Sequence, residues 1–157
     1  MTKSALAIGK PPYRVGRARL QNGLKLVTVE TPHLHSATLC LYVRAGSRYE
    51  TPETNGISHF LEHMLFRGSS RYPSSFALNL AIEELGGTLY AETGRDYSLY
   101  QISLHPKQLQ RGMEILGDLT DRFARANHAQ NLKFPVGQDF VNRAPSIRAQ
   151  IGSEFLG

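Results

Sequence analysis

The chain has 157 residues, 41% of them hydrophobic, so it is long enough for one domain with a buried core and too short for two large ones. Its formal net charge is +5, but the basic residues are scattered without interleaved aromatic residues, which disfavours a nucleic-acid partner. The single cysteine, Cys40, excludes an intramolecular disulfide and is expected to be buried as a small apolar residue.

The N-terminal residues have only a short apolar run before Pro11 and Pro12, which is too short for a secretion signal. No segment approaches the roughly 18 continuous apolar residues that a membrane-spanning helix requires. By default, the sequence therefore predicts a cytoplasmic protein without a membrane partner.

The first part of the sequence has the patterns of β-strands. Residues 17–21 and 24–30 flank Asn22-Gly23, which is the strongest short signal for a β-hairpin turn. A third strand is predicted over residues 36–44, because this stretch is rich in β-forming residues and ends at Ala45-Gly46.

Two helices are predicted next. Apolar residues recur at spacings of three and four after Gly56 and are expected to form one buried helical face that ends near Gly68. They are Ile57, Phe60, Leu61, Met64 and Leu65. The second helix is predicted to begin at an N-cap on Ser74 or Ser75 and to end at Gly86-Gly87.

The last predicted elements are two strands and a helix. Residues 88–93 and 97–104 have strand patterns around a turn at 94–96, and Pro106 begins a helix that continues to about Arg125. The resulting order, βββααββα, predicts an α+β domain with helices packed on one face of a largely antiparallel sheet.

The first predicted helix carries the segment His59-Phe60-Leu61-Glu62-His63. Residues four apart lie on the same face of a helix, so His59 and His63 can share one cation, and Glu62 projects beside them. Imidazole nitrogens are good zinc ligands, and a carboxylate that does not bind the metal can take a proton from metal-bound water. The alternative is a helix whose histidines and glutamate simply face solvent.

Residues 55–69 around this segment closely resemble the active-site helix of the zinc metallopeptidases with the inverted H-x-x-E-H motif. These form the pitrilysin, insulinase and mitochondrial processing peptidase family, peptidase family M16. The resemblance covers roughly residues 15–125. Further matching segments are Asn22-Gly-Leu-Lys-Leu-Val27, Ala45-Gly-Ser-Arg-Tyr-Glu50, Glu84-Leu-Gly-Gly87 and Asp96-Tyr-Ser-Leu-Tyr100.

The resemblance implies a zinc-dependent metalloendopeptidase with one Zn²⁺ ion as cofactor. His59 and His63 would be zinc ligands, and Glu62 the general base that activates water toward a peptide carbonyl. The implied fold is an incomplete α+β roll of the LuxS/MPP-like metallopeptidase type.

The family also implies that an extended peptide substrate pairs with the edge strand at residues 88–93. Tyr90 stands where the family commonly has Asn, and this difference leaves the family's side-chain contact at that position in doubt. Tyr90 and Glu92 are expected to be solvent-facing strand residues.

The sequence departs from the family where a downstream helix should supply a glutamate ligand, near Phe140. Lys133 stands where an acidic residue would be expected, and only Asp139 and Glu154 are acidic residues in this region. Two histidines alone make an incomplete zinc site, because protein zinc sites usually have at least three ligands.

Three interpretations remain open. The chain is a working peptidase module that obtains a ligand from Glu154 or a partner chain, a non-catalytic subunit or interaction module, or a truncated or frame-shifted version of a peptidase. Residues 1–14 are assigned to an N-terminal tail, 15–125 to the motif-bearing domain, and 126–157 to an irregular tail, frame-shifted or disordered, for which the truncated or frame-shifted version is favoured. Family members are longer, and a second related domain or subunit is an expected partner.

Other candidate sites have weaker support. His33, His35, His105 and His128 are spread over loops and ends and are expected to be surface residues. A serine or cysteine hydrolase is disfavoured, because the sequence has no G-x-S-x-G motif and Cys40 lies within a predicted strand, away from any helix N-terminus.

Overall fold

A computed structural model describes residues 13–20 and 23–129, with side chains up to residue 120. The chain divides into two compact units, Met1–His35 and Ser36–Gly157, which are described separately. The order of strands and α-helices in the described residues is the predicted βββααββα.

The first unit contains an antiparallel β-hairpin. Strand β1 (Arg14–Arg19) pairs with strand β2 (Lys25–Glu30), so that Arg17 lies opposite Val27. Gly23 has a φ of 83°, a left-handed conformation that glycine adopts without a steric penalty. The hairpin predicted from Asn22-Gly23 is therefore confirmed, although β1 begins three residues before the predicted Arg17.

The second unit is built on a three-stranded antiparallel sheet. Its strands are β3 (Ala37–Val43), β4 (Thr88–Thr93) and β5 (Ser98–Leu104), in the spatial order β3-β5-β4. The central strand, β5, is the most buried of the three. Within the described part of the chain, β4 pairs only with β5, which leaves its other edge without a neighbouring strand.

Three α-helices accompany this sheet: α1 (Ile57–Leu65), α2 (Ser75–Glu83) and α3 (Leu109–Ala129). Alternate residues of β5 and residues of all three helices form one apolar core, which fixes the helices on one face of the sheet. The buried members of this core are Val43, Ala45, Leu61, Leu65, Leu78, Ile82, Tyr100, Ile102, Leu104, Ile115, Leu116 and Leu119. The predicted α+β class is confirmed.

The opposite face of the sheet carries several polar side chains. The hydroxyl oxygens of Thr38 and Ser103 lie 3.3 Å apart across β3 and β5, and the Cys40 thiol lies 3.6 Å from the Gln101 side-chain oxygen. The prediction that Cys40 is buried was wrong, because the residue is exposed on this face. Side chains alternate along β3, so Leu39, Leu41 and Val43 face the helices and Cys40 faces outward.

Two helical predictions also need correction. Phe60 was assigned to the buried face of α1, but 60% of its surface is exposed. Helix α3, described as Leu109–Ala129, continues past Arg125, so the first residues assigned to the irregular tail are helical. The remainder of that tail and most of the predicted N-terminal tail lie outside the described residues.

No helix in residues 13–20 and 23–129 is long and apolar enough to cross a membrane. The cytoplasmic location and the absence of a nucleic-acid partner stay predictions.

Candidate metal centre

The N-terminus of α1 is capped by a residue from outside the helix. Its N-cap residue, Gly56, has no side chain to accept a hydrogen bond and adopts a φ of 86°. Glu50 supplies the acceptor instead, because its carboxylate accepts from the Gly56 N–H at 2.7 Å and from the Ser58 N–H at 2.9 Å. Burial opposes ionisation of Glu50, but the hydrogen bonds from Ser58 and Gly56 lower its pKa.

Glu50 belongs to the family-like segment before the helix, but the sequence did not indicate its capping role. The available signal was a glycine at the start of a helical pattern with an acidic residue a few positions upstream. Capping residues are ordinarily the N-cap itself, so this longer-range arrangement escapes a local pattern.

Helix α1 has a buried and an exposed face. Leu61 and Leu65 are each 4% exposed and pack in the core, whereas His59 and His63 are exposed. Phe60 is outside the core because adjacent residues are separated by about 100° around a helix, which turns it away from Leu61. The buried leucines therefore fix the rotation of the helix and direct both histidines outward.

The two histidines converge at one point. Their Nε2 atoms lie 3.0 Å apart, and the ring centroids are 4.5 Å apart. Two imidazole nitrogens on one tetrahedral zinc ion would lie about 3.3 Å apart, which requires only a small opening of the pair. Both nitrogens can reach one cation from these positions, so His59 and His63 fit two positions of a zinc site.

Glu62 lies between this pair and the sheet. Its Oε2 accepts a hydrogen bond from the hydroxyl of Thr93, the last residue of β4. Glu62 also interacts electrostatically with Tyr100. Burial raises the pKa of the Tyr100 phenol, and the negative charge of Glu62 raises that pKa further. Glu62 thus follows His59 and precedes His63 in the same helix, and its carboxylate is hydrogen-bonded to the last residue of β4.

The outward side chains of β4 are exposed. The Tyr90 hydroxyl donates to Glu92 at 3.1 Å, and this hydrogen bond raises the pKa of Tyr90. Both residues are exposed, so the prediction that they face solvent is confirmed. The interaction ties the residue that replaces the family's Asn to an acidic neighbour.

A third metal ligand is not found in the described part of the chain, where no group of three His, Cys, Asp or Glu side chains could hold a metal ion. Asp139 and Glu154, the weak candidates for this role, lie outside the described residues, as does Lys133.

The remaining candidate residues lie elsewhere. His33, His35 and His105 are exposed as predicted, and the Nδ1 of His105 accepts a hydrogen bond from the Lys107 N–H at 3.2 Å. The side chain of His128 is outside the described set. Cys40 is exposed, but neighbouring protein atoms desolvate its thiol enough to raise its pKa, which disfavours a nucleophilic thiolate there.

Comparisons of the sequence find metallopeptidases. A family model described as Insulinase (Peptidase family M16) matches residues 25–127. The chain is 41% identical over 101 residues to the Mitochondrial-processing peptidase subunit beta of Blastocladiella emersonii, covering 64% of this chain and 22% of that protein. It is 34% identical over 105 residues to the Uncharacterized zinc protease YmxG of Bacillus subtilis, covering 67% of this chain and 25% of that protein.

Comparisons of the structure agree on the fold. A protease from Helicobacter pylori superposes with a TM-score of 0.65 at 24% identity, covering 69% of this chain and 26% of that chain. Pitrilysin superposes with a TM-score of 0.63 at 24% identity, covering 78% of this chain and 14% of that chain.

The chain thus spans only 22% and 25% of the lengths of the two curated relatives. The family model nevertheless matches most of the chain, including the whole of α1 and the sheet of the second unit. The protein belongs to the insulinase family of metallopeptidases, peptidase family M16.

Proposed function

We propose that this chain is a zinc-dependent metalloendopeptidase module, with His59 and His63 as zinc ligands and Glu62 as the general base. The observation that carries the proposal is the convergence of two Nε2 atoms, 3.0 Å apart, beside a carboxylate on the same helix. The family membership supports peptide hydrolysis as the reaction class.

A bound zinc ion would supply Lewis acidity that polarises the peptide carbonyl and makes water more acidic. His59 and His63 would hold the ion through neutral imidazole rings. Glu62 would take a proton from the attacking water and later deliver it to the leaving amine, so that one carboxylate serves as base and then as acid. Because Leu61 and Leu65 are buried, they fix the helix and so keep His59, Glu62 and His63 in place during these steps.

The proposed substrate is an extended peptide that pairs with β4. In the described residues the outer edge of β4 has no neighbouring strand, and its unpaired backbone groups are suited to such pairing. The bond between Thr93 and Glu62 supports this assignment, because it links the edge strand directly to the proposed base. Backbone pairing would accept many peptide sequences.

The proposed site needs at least one more ligand than His59 and His63. The candidates to provide it are Asp139, Glu154 and a residue of a further domain or partner chain. The relatives named subunit beta suggest a second subunit as the partner, and we propose a related domain or chain in that role.

A second candidate function is a non-catalytic subunit or interaction module of the same family. The observation in its favour is that the described residues bring together only two metal ligands. Such a module would bind its partner equally well with or without Glu62.

Substitution of Glu62 tests the proposal. Glu62→Gln should lower peptide hydrolysis by about 10²-fold or more while zinc uptake is unchanged, because the base is lost and both histidines are kept. The matched control is Glu83→Gln, the same change at an exposed site on α2, which should leave hydrolysis as in the unaltered chain. Hydrolysis that persists in the Glu62→Gln variant would dismiss Glu62 as the base.

A further inference from the structure

Thr93 has a well-fixed backbone at the end of β4. It pairs with Ser98 of β5, and the turn that follows is closed by a hydrogen bond from the Gly94 N–H to the Tyr97 carbonyl at 2.9 Å. Gly46 packs against this turn so closely that a Cβ atom there would come within 2.4 Å of the Gly94 carbonyl oxygen. The side chain of Thr93 therefore projects from a constrained position.

The hydrogen bonds around Thr93 have a defined direction. The buried Ser98 hydroxyl can donate to the Ala45 carbonyl at 3.4 Å or to the Thr93 hydroxyl oxygen at 3.5 Å. An ionised carboxylate only accepts hydrogen bonds, so Thr93 is the donor in its bond with Glu62. The hydroxyl proton of Thr93 therefore points to Oε2 of Glu62, and the Thr93 oxygen stays free to accept from Ser98.

We infer that Thr93 is a positioning residue that holds the Glu62 carboxylate in the orientation needed for proton transfer. This inference rests on the proposed function, in which Glu62 is the base. The terminal torsion of a glutamate is broad, so a carboxylate without such a partner would sample many orientations. Oε2 of Glu62 accepts the hydrogen bond from Thr93, which leaves Oε1 of Glu62 as the atom that takes the proton from water.

Thr93 also belongs to the strand proposed to pair with the peptide. One side chain therefore sets the position of the base relative to the backbone with which the substrate would pair. A threonine that only stabilised the fold would affect folding alone, whereas a positioning residue affects the chemical step after the peptide has bound.

The first test compares three variants of the full chain. Thr93→Val keeps the side-chain shape but removes the hydroxyl, and it should lower kcat roughly 10- to 100-fold without changing KM or zinc affinity. Thr93→Ser keeps the hydroxyl and should restore kcat to within a few-fold. Thr38→Val removes a hydroxyl from the polar face of the same sheet and should leave kcat unchanged. Equal kcat values for Thr93→Val and the unaltered chain would overturn the inference.

The second test does not depend on activity. A double-mutant cycle measures the unfolding equilibrium constants of Thr93→Val, Glu62→Ala and the double variant. The change in the unfolding equilibrium constant of the double variant should differ by roughly tenfold from the product of the changes in the two single variants. The reason is that either single substitution already removes the same hydrogen bond to a charged group. The same cycle with Thr38→Val should show independent effects.

The two tests separate the two claims. If the unaltered chain hydrolyses no peptide, either alone or with a partner that supplies the further zinc ligand, the proposed function fails, and the cycle alone decides whether Thr93 holds Glu62. Coupling no larger than that of the Thr38 cycle would overturn the inference. If the chain is active and Thr93 is coupled to Glu62 but kcat is unchanged in Thr93→Val, the bond is structural and the positioning role is wrong.

Discussion

Helices α1 and α2 have the same length, nine residues, but they are held in different ways. Helix α2 is capped locally, since the Ser74 side chain accepts a hydrogen bond from the Ala77 N–H at 3.1 Å. Helix α1 has Gly56 as its N-cap, and the N–H groups of Gly56 and Ser58 are capped by Glu50 from outside the helix. The helix with the proposed catalytic residues is the one whose start depends on a carboxylate from another segment.

The exposed faces of the two helices also differ. Helix α2 exposes Phe76 and Leu80, whereas α1 exposes Phe60 and the two histidines whose Nε2 atoms converge. A helix capped by its own N-cap residue can be placed by packing alone. A helix that must present three polar side chains together gains from an additional tether, which fixes its N-terminal turn next to His59.

The largest expected effect, a loss of unfolding free energy, tests whether α1 and α2 contribute equally to the stability of the core. Leu61→Ala in α1 and Leu78→Ala in α2 should each lower the free energy of unfolding by about 2–5 kcal/mol, because each leucine is at most 4% exposed. Phe60→Ala should change it by only about 0.5 kcal/mol, since Phe60 is 60% exposed. Chemical denaturation provides the measurement, and a large effect of Phe60→Ala would contradict the observed rotation of α1.

A smaller effect tests the difference in capping. Glu50→Ala should lower the free energy of unfolding by about 1–3 kcal/mol, because the exposed Gly56 N–H and the partly buried Ser58 N–H lose a charged acceptor. Ser74→Ala should cost about 1 kcal/mol. Glu50→Ala should also weaken zinc binding, whereas Ser74→Ala should not. Equal zinc affinities in the two variants would show that the cap of α1 has no bearing on the metal site.

The smallest effect is a dependence on pH. The pKa of Glu50 is lowered from its ordinary value of 4.5, so its contribution to stability is present above that value and is lost as the pH falls through the folded-state pKa. Between neutral and acidic pH, the thermal unfolding temperature of the unaltered chain should therefore fall more steeply than that of Glu50→Gln. Parallel curves would contradict the assigned cap.

The elements with local signals were predicted from sequence. The hairpin of β1 and β2, the strand β4 and Ser74 as one of two proposed N-caps each depend on neighbouring residues, and each matches the structure. Cys40 was misplaced because it was assigned by residue type, whereas its exposure is decided by the face of β3 on which it lies. Phe60 was misplaced because the spacing of apolar residues on α1 included it in a buried face that reaches only to Leu61 and Leu65.

The candidate site was predictable only in part. The spacing of His59, Glu62 and His63 was sufficient to predict their proximity, since a helix fixes it. The contacts from Glu50 and Thr93 were not predictable in this way, because they join segments that meet only after α1 packs on the sheet.

Zinc titration of the metal-free full chain tests the central claim most directly, with calorimetry used to compare four variants. His59→Ala and His63→Ala should each weaken binding by about tenfold or more, because each removes a ligand. Glu62→Gln should bind as the unaltered chain does, and His33→Ala serves as the control for an exposed histidine outside the site. Zinc binding that survives both histidine substitutions unchanged would contradict a metal centre on α1.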